Sequence, residues 1–334
     1  MYAQTDVTKK NENLVIRFLN PVLQYLKDNL GILVGFIAMC IFLSFISPSF
    51  LTQTNIMNVL RQVSTNLYLA CAMTMVIILG GIDLSVGSII ALSGVITGGM
   101  IAFNGYSVPV AVCIGLLVGL LIGVFNGIVV AKTTIPPFIV TLATMNIARG
   151  LAYIYTGGQP IRVMSDQFTF IGAGYLWDVI PTPVIYLIVI VIISMLILNN
   201  TKLGRYMYAV GGNREAARFS GIKIPRVLFF AYAYSGLMAA IAGVVLASRM
   251  FSGQPTAGQG AEMDAIAAVV LGGTSMSGGY GTIGGTIIGA LIIGVLSNGL
   301  NLMNVNSFWQ YVAKGVVILI AVYIDYLKRG KVKL

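Results

Sequence analysis

Long apolar runs recur along almost the whole chain, and each is near the ~20 residues that a helix needs to cross a bilayer. They cover 31–46, 59–79, 87–103, 108–131, 137–155, 183–199, 227–248, 264–276, 282–302 and 308–327. The apolar residues are continuous rather than alternating, which excludes an outer-membrane β-barrel. In lipid, a helix satisfies its own backbone groups without closing a barrel. Composition agrees: 57% of the residues are hydrophobic, 9% are charged, and the mean hydropathy is +0.92. The fold class expected is therefore an all-α membrane protein of about ten transmembrane helices. The run at 264–276 is short and glycine-rich, so it is expected to be tilted, broken or merged with its neighbour.

The net charge of +10 would suggest nucleic acid in a soluble protein, but here topology explains it and no nucleic-acid partner is expected. With the N-terminus and, through an even span count, the C-terminus in the cytoplasm, most basic residues fall inside, as the positive-inside rule requires. Those are Lys9, Lys10, Arg17 and Lys27, then Lys132, a central cluster, and finally Lys328, Arg329, Lys331 and Lys333. Arg61, Arg149, Arg162, Arg249 and Lys314 are the exceptions, outside or within spans. Residues 1–30 read as a cytoplasmic tail with a short interfacial helix through Leu14, Phe18, Val22, Tyr25 and Leu26, or a plain linker. Residues 31–327 form the polytopic domain, and 328–334 a basic cytoplasmic tail. The N-terminus has no cleavable signal pattern.

The central cluster is Asn199–Arg226, NNTKLGRYMYAVGGNREAARFSGIKIPR, with Lys202, Arg205, Arg214, Arg218, Lys223 and Arg226 against the single acid Glu215. It must lie outside the lipid, as a cytoplasmic loop over 200–226. The segments Ser47–Asn58 and Thr156–Pro183 are polar with few basic residues and are expected outside. Arg61, Arg162 and Arg249 are candidates to pair with acids on a partner there.

Chemistry is scarce. Histidine is absent, and Cys40, Cys71 and Cys113 lie in separate apolar runs, so metal clusters and the familiar catalytic triads are not expected. No phosphate-binding GxxxxGK[ST] loop occurs; the only Gly-Lys pair is Gly330-Lys331. No acid sits in mid-span as proton- or sodium-coupled carriers often require, and no charged ring or filter motif suggests a channel. Ser64, Thr65, Asn66, Thr74, Asn126, Thr141, Thr144, Asn146, Ser297, Asn298 and Asn301 interrupt the apolar runs. Each either bonds a neighbouring helix or lines a path for a polar solute. Gly115, Gly119 and Gly123, like Gly281, Gly285 and Gly289, are spaced for close helix contact.

Two turns look alike: Leu79-Gly80-Gly81-Ile82-Asp83-Leu84-Ser85 and Leu271-Gly272-Gly273-Thr274-Ser275-Met276-Ser277-Gly278. They suggest an internal pseudo-repeat with a pathway between its halves. Asp83 and Ser85, with Gly272, Gly273, Ser275 and Gly278, are candidates for a gate. The alternative for Asp83 is a cap on the next helix.

Glu215-Ala216-Ala217 followed by Gly221, in a basic loop, resembles the coupling loop of ABC importer permeases. With TKLGRYMYAVGGN, SGIKIPR, GGIDLSVGSIIALSG, PTAGQGAEMDAIAAVVLGGTSMSGGYGTIGGTIIGALI and NGLNL, the chain resembles monosaccharide permease subunits of the ribose type. These belong to the branched-chain amino acid and sugar permease superfamily, and the likeness runs from about Leu43 to Ile324. The resemblance implies a multi-pass protein of a prokaryotic inner or plasma membrane, acting as a homodimer with the pathway on its two-fold axis. It implies a cytoplasmic ABC ATPase that uses ATP and Mg, and an extracytoplasmic sugar-binding protein; the permease itself binds no cofactor and is not an enzyme. Arg205, Arg214, Glu215, Ala216, Ala217, Arg218 and Gly221 would make the ATPase contact. Ala216 and Ala217 would present a small apolar surface, and the arginines would meet acids on the ATPase rim. A stand-alone secondary transporter for a small polar solute and a membrane scaffold are the alternatives. The sugar itself is not identified by these motifs.

Overall fold

The structure is a computed structural model that describes residues 30–330. The N-terminal tail with its expected interfacial helix, and Lys331 and Lys333, lie outside the described residues. Each apolar run is a helix. In order these are α1 (Leu30–Ile46), α2 (Gln53–Ile78), α3 (Val86–Ala102), α4 (Val108–Lys132) and α5 (Pro137–Thr156). Then come β1 (Ile161–Arg162), α6 (Asp166–Ala173), β2 (Tyr175–Leu176), β3 (Ile180–Pro181) and α7 (Thr182–Met195), which continues as a π-helical turn, Leu196–Asn200. The loop 200–226 carries α8 (Lys202–Gly212) and α9 (Arg214–Phe219). The chain continues with α10 (Ile224–Arg249), β4 (Ser252–Gly253), α11 (Ala261–Leu271), α12 (Ile283–Leu302) and α13 (Ser307–Gly330).

Local sequence sets many of the helix starts. Thr52, Ser165, Thr201, Asn213 and Thr282 each accept a backbone N–H from the following helical turn. Pro109, Pro137, Pro183 and Pro225 stand in first turns, where an N–H would have no partner anyway.

Among the described residues, five helices are both long and apolar enough to cross a bilayer: α4, α5, α7 with its π turn, α10 and α12. Shorter apolar helices occur at Leu33–Ile46, Val86–Ala102 and Ser307–Ile320. The helix α2 has 26 residues but carries Asn55, Arg61, Gln62, Thr65 and Asn66 in its first half, which lowers its hydropathy. The helix α11 has 11 residues, about 17 Å at 1.5 Å each, roughly half the hydrocarbon thickness. Of the tilted, broken or merged run expected there, the structure has a short helix ending at Leu271, with the next helix starting at Ile283.

The core is the inner half of α2, where Tyr68 to Ile78 are buried, wrapped by α10, α3, α11 and α12. Glycine brings the backbones close. A methyl group on Gly236 of α10 would fall on the Gly119 carbonyl of α4 and 2.7 Å from the Gly123 Cα. The expected role of Gly119 and Gly123 as close-packing positions is what the structure has. Gly285 likewise meets Gly272, and Gly289 meets the Ala268 carbonyl, so α11 and α12 form a tight pair. Outward side chains are apolar, as with Leu117, Leu121 and Phe125 on α4. Facing water that would be a liability; facing lipid it is not.

The segment 156–183 is not a plain loop. Strand β1 pairs with β4, Ile161 opposite Gly253, and α6 buries Phe168 over the end of α10. Ser248 of α10 accepts the Gly172 N–H at 2.7 Å and donates to the Phe168 carbonyl.

Candidate functional site

The basic loop is two short helices, α8 and α9. On α8, Gly204, Met207 and Val210 turn inward, while Lys202, Arg205 and Tyr206 are exposed. Asn213 ends α8 and caps α9, accepting the Ala216 N–H at 2.9 Å. Glu215 follows in the first turn, at the positive end of the helix dipole. Gly221 takes φ +79° just past α9. Its N–H reaches the Arg218 carbonyl at 3.0 Å and the Ile222 N–H reaches Ala217 at 3.1 Å, a closed left-handed cap that glycine forms without strain. Arg214, Glu215, Ala216 and Arg218 are exposed. Ala217 is not: it packs inward and seats α9 on the bundle. The apolar surface presented is therefore Ala216 with Phe219, 85% exposed, rather than the Ala216-Ala217 pair. Arg214, Glu215, Arg218, Ile224 and Pro225 line an open groove of about 320 Å³ beside them.

The two glycine turns meet at this loop. The Gly279 N–H donates to the Ile78 carbonyl at 2.8 Å, tying the second turn to the end of α2. Gly211 of α8 sits against the same carbonyl, where a methyl group would fall on its oxygen and 2.6 Å from the Gly279 nitrogen. A methyl group on Gly278 would be 2.9 Å from both Gly211 O and Ile78 O, and one on Gly279 would be 2.9 Å from Gly212 Cα. The Tyr208 hydroxyl adds a bond to the Gly281 carbonyl at 2.7 Å. Three backbone segments thus cross at one point with almost no side chain between them.

The turns share a geometry but not a register. Gly80 takes φ +76°, with Gly80 N to Ile77 O at 2.8 Å and Gly81 N to Val76 O at 3.0 Å. In the second turn Gly273 takes φ +84°, with Gly273 N to Val270 O at 2.9 Å and Thr274 N to Val269 O at 3.1 Å. Gly80 thus corresponds to Gly273, not to Gly272, whose role is to let Gly285 approach. Gly278 is also left-handed, φ +84°, closing a second turn onto the Ser275 carbonyl at 3.0 Å.

Asp83 lies below the first turn, fully buried. One carboxylate oxygen accepts the Ser85 N–H at 3.0 Å and the Ser85 hydroxyl at 2.6 Å; the other accepts the Ser235 hydroxyl of α10 at 2.7 Å. Asn126 of α4 donates to Ser85 at 3.0 Å and accepts from Thr144 of α5 at 2.6 Å. Asp83 therefore does bond backbone at the start of α3, and the same carboxylate also holds α3 to α10 and, through Ser85, to α4 and α5. Among the described residues no cation pairs with it.

At the far end of α10, about 39 Å of helix away by length, Arg61, Arg162 and Arg249 take different roles, whereas Arg149 reaches the first turn of α3. Arg162 is exposed on β1. Arg61 is half-buried, its guanidinium 4.4 Å from the Tyr175 ring centre, with Nε and one terminal nitrogen lacking an acceptor. Arg249 is half-buried and lines a cavity of about 360 Å³. Arg149 donates to the carbonyls of Pro255 and Ala257 at 2.7 Å each and Gly87 at 3.1 Å. Lys314 pairs with Asp264 at 2.8 Å.

Sequence reasoning left Arg149 without a role, and Gly211, Gly212 and Tyr208 unremarked. A lone arginine in an apolar run, followed far along the chain by a Gly/Pro-interrupted stretch, is a faint sign of a carbonyl clamp. The adjacent Gly211-Gly212 inside a helix is the only sign of the crossing, since interior glycine is costly unless something approaches closely.

Residues 55–322 match the family model for the branched-chain amino acid transport system / permease component. The chain is 51% identical over 303 residues to the ribose import permease protein RbsC of Bacillus subtilis (strain 168), covering 90% of this chain and 94% of that one. It is 44% identical over 301 residues to RbsC of Escherichia coli (strain K12), covering 89% and 93%. With the L-arabinose transport system permease protein AraH of Escherichia coli (strain K12) it shares 42% over 302 residues, covering 90% and 92%. No solved structure matches. On this extent of likeness, the chain belongs to the family of branched-chain amino acid transport system permease components.

Proposed function

We propose that this chain is the membrane permease of an ATP-binding cassette importer that carries a monosaccharide, of the ribose class, into the cell. The observation that carries the reading is the crossing of α8 with both glycine turns, because it joins an exposed, basic docking element to the interior of the bundle. Arg205, Arg214, Glu215, Ala216, Arg218 and Phe219 face the ATPase; Ala217 and Gly221 hold α9 in shape for it. ATP and Mg are handled by that partner, and this chain is a transport subunit without a catalytic site of its own. The finer topology is ten spans with both termini cytoplasmic, two chains per importer, and a pseudo-repeat in which the Gly80 and Gly273 turns correspond. Positive charge at the α8–α9 end supports that orientation. The opposite end, with Arg162, Met164 (99% exposed) and Trp177 (78% exposed), is the face for the sugar-binding protein; Arg61 and Arg249 lie behind it.

The test is uptake of labelled ribose into proteoliposomes holding the permease with the ATPase and binding protein encoded beside it. Uptake should require ATP and the binding protein. Uptake driven by an ion gradient without ATP would identify a secondary transporter instead.

A further inference from the structure

Arg149 on α5 and Lys314 on α13 stand inside their apolar runs, more than a helical turn from either end. The transport reading uses neither. A charge inside a span is costly and persists where something in the bundle requires it. The two cations are far apart in sequence, yet both reach the same short stretch, Pro255 to Asp264.

On one side, Arg149 donates to the carbonyls of Pro255 and Ala257 at 2.7 Å each, and to Gly87 of α3 at 3.1 Å. The stretch between β4 and α11 is turn rather than helix or strand, so its carbonyls need a donor from elsewhere. Glu262 lies on this side too. A methyl group on Gly87 would fall on its carboxylate, and its charge acts on Arg149 from beyond ion-pair distance. On the other side, Lys314 pairs with Asp264 at 2.8 Å, the only ion pair among the described residues. Glu262 and Asp264 are two positions apart on a helix, about 200° of rotation, and so point opposite ways. The first turn of α11 is thus gripped from both sides, by α5 and by α13.

The length of α11 explains why a grip is needed. A full-length span is fixed at both ends by packing along its whole course. With 11 residues, about 17 Å, α11 has no such length. Its last residue, Leu271, leads into the second glycine turn, which meets α8 at the crossing. Its other end lies at the cavity of about 360 Å³, where Gly258, Ala261 and Asp264 are in the wall. The backbone entering α11 passes through Gly258 at φ +70° and Gly260 at φ +80°. Glycine leaves that path free, so contacts with other helices set it. Charge-assisted hydrogen bonds are short, strong and directional. Two sets of them from opposite sides fix the start of α11 at one place in the bundle.

We infer that Arg149 and Lys314 are positioning residues for transport: together they hold the start of α11, and with it one wall of the cavity, while its other end meets the docking loop. The inference rests on the sugar-importer reading above.

The experiment uses the importer reconstituted with its ATPase and binding protein, and compares Lys314→Asp and Asp264→Lys singly and together. Each single variant sets two like charges against each other, so ribose carried per ATP hydrolysed should fall about tenfold. The double variant rebuilds the pair in reverse and should recover most of that loss. Single variants that match wild type, or a double no better than the worse single, would overturn the role of Lys314. Arg149→Lys keeps a charged donor and should retain a higher ratio than Arg149→Met; equal ratios would overturn the role of Arg149. A second measurement needs only the permease and covers variants that fail to assemble. In a chain with Cys40, Cys71 and Cys113 replaced by Ala, Ala261→Cys is alkylated by a small impermeant thiol reagent. Arg149→Met and Lys314→Gln should each change its labelling rate severalfold; a rate unchanged in both would overturn the inference whatever the uptake results. A wild-type complex that hydrolyses ATP but takes up neither pentose nor hexose would overturn the importer reading, and the labelling would still decide whether the two cations hold α11.

Discussion

Replacing Gly211 by alanine tests whether the α8 crossing is as tight as its geometry states. The added methyl would fall on the Ile78 carbonyl oxygen and 2.6 Å from the Gly279 nitrogen. Both obstacles are backbone, so no rotamer change relieves the clash. Either α8 lifts or the Gly279 to Ile78 hydrogen bond, 2.8 Å, opens. Overpacking of this kind costs about 1–3 kcal/mol, and the lost bond about 1 kcal/mol more. The neighbouring residue is the control. A methyl on Gly212 meets nothing within 4 Å, and alanine is the better helix former by ~0.5–1 kcal/mol, so Gly212→Ala should be neutral or slightly stabilising. Two measurements separate the variants: thermal unfolding in detergent, and ribose imported per ATP hydrolysed in proteoliposomes. Gly211→Ala should melt earlier and import less sugar per ATP; Gly212→Ala should match wild type in both. Equal behaviour of the two variants, in either direction, would refute the reasoning, because composition and position are otherwise the same.

Other outcomes follow from the same geometry. Asp83→Ala removes three accepted hydrogen bonds and leaves the Ser85 and Ser235 hydroxyls without their acceptor, at about 1–3 kcal/mol for each group stranded. Asp83→Asn keeps an acceptor oxygen, so thermal stability should rank wild type above Asn above Ala; an Ala variant as stable as wild type would remove Asp83 as the tie between α3 and α10. Arg149→Met strands the carbonyls of Pro255, Ala257 and Gly87, so cysteines placed at 254–260 should label faster with aqueous reagents than in wild type. Unchanged labelling would show that the segment holds its place without the clamp. Gly221→Ala forces a side chain into the left-handed region at about 1–2 kcal/mol; with open space around it, the protein should insert normally but couple ATP hydrolysis to uptake less well. Full coupling would separate the α9 cap from function.

Much of this was legible because lipid imposes few solutions. Helix positions followed from apolar run length, and α11 from the shortness of its run and its glycines. The basic segment 200–226 stood out as one that leaves the apolar runs, because charge is so scarce elsewhere. What stayed hidden depends on contacts between distant segments. Nothing local to Arg149 names Pro255, Ala257 and Gly87 as its acceptors. The list of hydroxyls and amides was readable, but its division into helix-to-helix bonds and cavity wall was not. Asn298 and Ser297 are sequence neighbours, yet one bonds Asn55 and the other lines open space. A helix turns ~100° per residue, so adjacent positions face different neighbours, and only the packing of α2 against α12 decides which. The register of the two glycine turns was hidden for a similar reason. Leu-Gly-Gly is the same string in both, but which glycine becomes left-handed depends on where each helix stops.

The crossing and the cavity share their helices, and this gives the proposed coupling a mechanical form. Ile78, at the crossing, and Gln62, in the cavity wall, are both on α2. They are 16 positions apart, about 24 Å at 1.5 Å per residue. The second turn opens directly into α12, which carries Ser297 and Asn301. The docking helix α9 leads through Gly221 into α10, which ends at Arg249. Three of the cavity's walls are therefore continuous helices whose other ends meet at or beside α8 and α9. Side chains between packed elements give slack, because they can change rotamer when a neighbour shifts. At Gly211, Gly278 and Gly279 there are none, so a displacement of α8 must move the ends of α2 and α12 or break the crossing. A rigid helix pivoted within the bundle moves at both ends, so the walls of the cavity shift with them. Lengthening the crossing by one methyl group, as in Gly211→Ala, is then a change at the docking end that should be felt at Gln62 and Ser297. Thiol labelling at Ser297→Cys in the Gly211→Ala background would read it: a labelling rate that no longer responds to ATP is the expected result, and a wild-type response would break the mechanical link between the two sites.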